Sequence, residues 1–102
     1  MSLNKRILSI VGDITDPAVR IEIAQTIRFL YEVWLTGRVS PEEILSSLRE
    51  VAYTILTYKH PEMPEEEKKE KAKALAEDLF KAFRIESLYR TTFVRMKPKI
   101  LM

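Results

Sequence analysis

The chain reads as an all-α protein: a small bundle of four to five helices around a central hydrophobic helix at about residues 16–36. Three observations predict this. Apolar residues recur at helical spacing in several separate segments, where a sheet protein would alternate. Capping residues stand at the expected starts: Ser2, Asp16 before Pro17, and Ser40 before Pro41. Finally, DPAVRIEIAQTIRFLYEVWLT (16–36) is apolar around most of its girth. Val19, Ile23, Ile27, Leu30 and Trp34 form one row, Ala24, Tyr31 and Leu35 a second, and Ile21 and Val33 widen both. The polar row of Glu22, Gln25 and Glu32 is narrow, and Phe29 interrupts it. Such a helix calls for cover on several sides.

In chain order, Leu3, Ile7, Ile10 and Val11 share one face of a short first helix, about 3–11, with Leu8 beside it, Ser2 as its cap and Gly12 at its end. Asp13-Ile14-Thr15 leads to Asp16, and the central helix stops at Thr36-Gly37, where glycine suits a left-handed C-cap. Ser40-Pro41-Glu42-Glu43 is a capping box with proline at the first helical position. The third helix then carries Ile44, Leu48, Val51, Ile55 and Tyr58 on one face, widened by Leu45, Ala52 and Leu56. The short link makes it an antiparallel neighbour of the second.

Lys59-His60-Pro61-Glu62-Met63-Pro64 breaks the pattern, since each proline disfavours helix at the residue before it. A fourth helix opens after Pro64, with Glu65, Glu66 and Glu67 at its electropositive end. EEEKKEKAK (65–73) has no large apolar residue and is expected to project, solvated on most sides. From Ala72 a core face appears in Leu75, Ala76, Leu79, Phe80, Ala82 and Phe83. Ile85, Leu88, Tyr89, Thr92, Phe93 and Met96 keep helical spacing, although Thr91–Val94 has strand-like composition. Periodicity favours helix here, with a bend near Arg84–Ser87 and an end at Pro98.

The 102 residues are expected to form a single helical domain, 1–102, with a basic C-terminal segment at 84–102. That segment holds Arg84, Arg90, Arg95, Lys97 and Lys99 against Glu86 alone, a net +4, while the whole chain is only +2. No apolar run approaches the roughly 20 residues of a membrane span. There is no cysteine. The expectation is a soluble cytoplasmic protein. One Asn, one Gln and abundant Glu, Lys and Arg give a thermophile-like composition.

Chemistry is sparse. His60 is the sole histidine and stands in a proline-rich turn near Glu62 and Glu65, without the nitrogen and sulfur donors zinc takes or the Asp-rich loop calcium takes. Glu32 reads as an edge residue paired with Arg28. Two glycines cannot build a phosphate loop. The expectation is no enzyme, no cofactor, no metal and no small-molecule substrate. Residues 30–49 have the outline of a helix-turn-helix, yet Glu42 and Glu43 stand where such a motif meets phosphates, and carboxylates repel that backbone.

Binding remains as the function. Arg84, Arg90, Arg95, Lys97 and Lys99, interleaved with Tyr89 and Phe93, suit nucleic acid or an acidic partner. Phe29, Ile85, Leu88, Tyr89, Phe93 and Met96 are apolar beyond what four short helices readily cover, and read as an interface. The expected protein is a non-enzymatic interaction module, a small accessory or adaptor subunit, forming a homodimer or joining a protein partner. Direct nucleic-acid binding through the basic segment is the alternative.

Overall fold

A computed structural model gives the fold. It describes the backbone of residues 2–101 and the side chains of residues 2–88. Four helices follow in order: α1 (Leu3–Val11), α2 (Pro17–Leu35), α3 (Pro41–Lys59) and α4 (Glu65–Leu101). Among the described residues there is no strand, and no helix is long and apolar enough to cross a membrane.

The helix starts follow local chemistry. The Ser2 hydroxyl accepts from the backbone N–H of Lys5, and the Asp16 carboxylate accepts from that of Ala18. Ser40 and Glu43 complete the reciprocal box: Glu43 N–H donates to the Ser40 hydroxyl at 3.2 Å, and Ser40 N–H to the Glu43 carboxylate at 3.1 Å. These contacts satisfy donors that an isolated helix leaves orphaned. After α2, Gly37 takes φ +73°, the left-handed conformation its position predicts. Gly12 differs. It caps α1 in a right-handed conformation, and its backbone N–H still reaches the Leu8 carbonyl. Its usefulness is closeness: a Cβ there would lie 2.6 Å from the Leu8 oxygen.

All four helices feed one core. Ile7, Val11, Ile27, Ile44, Leu48, Ile55, Leu79 and Phe83 are its largest fully buried side chains. The tightest pairing is α3 against α4. α2 is therefore less enclosed than its composition implies. Ile23, Ala24, Ile27 and Tyr31 are buried, but Ile21, Phe29 and Leu35 are exposed, because three companions leave part of its girth uncovered. Trp34 is half-buried, set edge-on to Phe80 at 5.4 Å and tilted against Phe83 at 6.2 Å. Tyr31 meets Phe83 edge-on at 5.3 Å, so four aromatic rings join the end of α2 to α4.

α4, one continuous helix of 37 residues, corrects two expectations. It continues past Pro98 to Leu101. Proline's fixed φ is itself helical, so it costs a hydrogen bond without forbidding the conformation. The first turns do not project either. Ala72 packs against Ala52 and Leu56, which closes α4 onto α3 there. Lys68 is only 5% exposed. Its ammonium lies 5.2 Å from the centre of the Tyr53 ring and 3.8 Å from the Glu65 carboxylate. The aliphatic stem of a lysine covers apolar surface that its charge conceals from a hydropathy pattern.

Candidate interaction surfaces

Long-range polar contacts decide which faces remain open. Glu86, half-buried on α4, accepts the backbone N–H of Leu3 at 3.0 Å. It thereby puts a carboxylate on the positive end of α1. Arg6 pairs with Asp78. At the other end of α1, the Lys59 ammonium donates to the Ile10 carbonyl at 2.9 Å and lies 3.2 Å from Asp13. The Lys59 hydrogen bond is the main reason the Asp13 carboxyl titrates below its ordinary value of 3.8. Arg28 donates to Asn4 at 2.9 Å, which ties α2 to α1, while Glu32 is exposed. On the far side of α3, the Tyr53 hydroxyl donates to both oxygens of Glu65, at 2.6 and 2.7 Å. Bonding the protonated phenol to a carboxylate raises its pKa above the ordinary 10.0, with desolvation and the carboxylate's charge adding to the shift.

Two apolar grooves lie among the described residues. The first, about 420 Å³, lies between α2 and α3. Ile23, Leu30 and Val51 form its apolar lining, with Phe29 at 66% exposure beside them. Thr26, Ser47 and Thr54 supply hydroxyls, and Glu22 and Glu50 are the charged residues at its edge. Among the described residues no lysine or arginine lines it. The second, about 500 Å³, lies between the start of α3 and α4. Leu45, Phe80, Ile85 and Leu88 line it, with Glu77, Lys81 and Arg84 around them. Ile85 is 51% exposed there. A smaller hollow of about 220 Å³ sits over the Arg6–Asp78 pair, and Ile85 reaches it too.

The structure thus separates the residues singled out from the sequence. Arg84, Ile85 and Leu88 share the second groove, while Phe29 flanks the first. The side chains of Tyr89, Arg90, Phe93, Arg95, Met96, Lys97 and Lys99 lie outside the described residues. His60 is exposed at the end of α3 and donates its backbone N–H to the Leu56 carbonyl. Among the described residues no three His, Cys, Asp or Glu side chains group as metal ligands. The sequence reading missed the Tyr53–Glu65–Lys68 cluster and the acidic edge of the first groove. Glu22 and Glu50 are 28 residues apart, and only the antiparallel packing of α2 on α3 brings them to one cleft. No protein-family model, curated protein or solved structure matches the chain.

Proposed function

We propose that this protein is a non-enzymatic interaction module, an accessory or adaptor subunit that docks through its exposed apolar helix faces. The observation that carries this reading is Phe29. A phenylalanine two-thirds exposed, beside an apolar groove walled by two well-capped helices, is surface that a protein interior would normally take up. Ile85, beside Phe80 and Leu45, repeats the arrangement at a second face. Ordered helices hold both faces, so a partner would meet preformed surfaces and lose less entropy on binding.

Size fractionation of native extract tests the reading. The chain should travel in a complex larger than its own 11.9 kDa. Phe29→Asp or Ile85→Asp should return it to the free pool with its melting temperature unchanged, because both side chains are largely outside the core. A chain that travels at its own mass in native extract refutes the reading.

The basic segment supports a second reading, direct nucleic-acid binding. Lys81 and Arg84 are both exposed on α4, and 84–102 carries net +4. Binding to phosphates would weaken steeply with salt, at a log–log slope of about −0.9 per phosphate neutralised on duplex DNA. A titration of random-sequence duplex at two salt concentrations should show that slope for the intact chain. Binding should vanish in the Arg90→Ala/Arg95→Ala/Lys97→Ala variant. Absence of binding at low salt excludes this second reading.

A further inference from the structure

We propose that the occupant of the α2–α3 groove is the C-terminal stripe of a second copy of this chain, exchanged reciprocally so that two copies form a closed dimer. The inference builds on the docking reading above and names the partner. Its first support is charge complementarity. The groove offers an apolar lining of Ile23, Leu30 and Val51, with Phe29 beside it and Glu22 and Glu50 as its charged residues. The C-terminal segment has the converse character. Tyr89, Phe93 and Met96 recur at i, i+4 and i+7, one row of a helix. Arg90 and Lys97, seven residues apart, fall in the adjoining row. An apolar row flanked by cations matches an apolar cleft edged by carboxylates.

The second support is reach. At 1.5 Å per residue α4 runs about 55 Å and α3 about 28 Å, so α3 cannot accompany α4 along its whole length. Ile85 and Leu88 are already level with Leu45, one turn into α3. The groove lies further along α3, at Ser47–Thr54. A continuous α4 cannot turn back to that face of its own chain, and a second copy has no such constraint. The exchange uses the same two surfaces twice, so a two-fold axis closes it.

The test is a charge exchange between full-length purified chains, followed by mass in solution. One variant carries Glu22→Lys/Glu50→Lys, the other Arg90→Glu/Lys97→Glu. The wild type should have twice the 11.9 kDa chain mass, and each variant alone should be monomeric with an unchanged helical spectrum. Mixed in equal amounts, the variants should form a heterodimer, since each supplies the charge the other now needs. Phe29→Ala should lower dimer affinity at least tenfold without any charge change. A monomeric wild type at high micromolar concentration overturns the proposal, as do a dimer that both variants retain and a mixture that stays monomeric. A purified monomer that still enters a Phe29-dependent complex in native extract overturns this inference while leaving the docking reading standing.

Discussion

The Tyr53 hydroxyl holds both oxygens of Glu65, and that one bond predicts a titration. The protonated phenol is the bonded form, so its folded-state pKa lies above the unfolded 10.0. A group shifted upward stabilises the fold below its unfolded pKa, and the contribution disappears as pH rises through the folded pKa. The ultraviolet absorbance of Tyr53 should therefore ionise above pH 10, and Glu65→Gln should bring that midpoint back down. A midpoint unmoved by the substitution would remove Glu65 as the cause. Asp13 works in the opposite sense. Bonded to Lys59, its carboxyl is held low, so its contribution is present above the ordinary 3.8 and is lost as pH falls through the folded value. Neither pair could be foreseen from local sequence. Tyr53 and Glu65 are 12 residues apart, Asp13 and Lys59 46, and each pair forms only after the helices pack.

At the scale of the element, the helix starts were the most legible part of the chain. Ser40 and Glu43 are three residues apart, and the box they imply is present with both bonds. Ser40→Ala should destabilise the protein by about 1 kcal/mol, read as a fall in the urea midpoint without change in slope. A helix unaffected by the loss of its cap would contradict this. Gly37 was legible for the same reason: a positive φ is a local demand, and glycine answers it locally. α4 was less so. Its opening turns look like a projecting arm because hydropathy counts Lys68 as wholly polar, whereas its side chain is buried with its ammonium over the Tyr53 ring. Exposure of Phe29 on α2 was expected, that of Ile21 and Leu35 was not. Composition states how apolar a helix is, and only tertiary packing states which flank goes uncovered.

At the scale of the whole molecule, Ile27 is completely buried in a core that draws on all four helices. Ile27→Ala should cost roughly 2–5 kcal/mol, seen in chemical denaturation as a lower midpoint, and a midpoint that stays put would mean the core closes over the gap. The shortest helix around that core has a separate consequence. α1 has nine residues, fewer than an isolated helix needs to be stable in water. Glu86 from α4 grips its first turn and Lys59 from α3 its last. Its order is therefore borrowed from contacts with the other helices, and it is the natural unit to open first in native-state amide exchange. An opening there would unveil Ile7 and Val11 together, a hydrophobic face that exists for solvent only in that rare excited state.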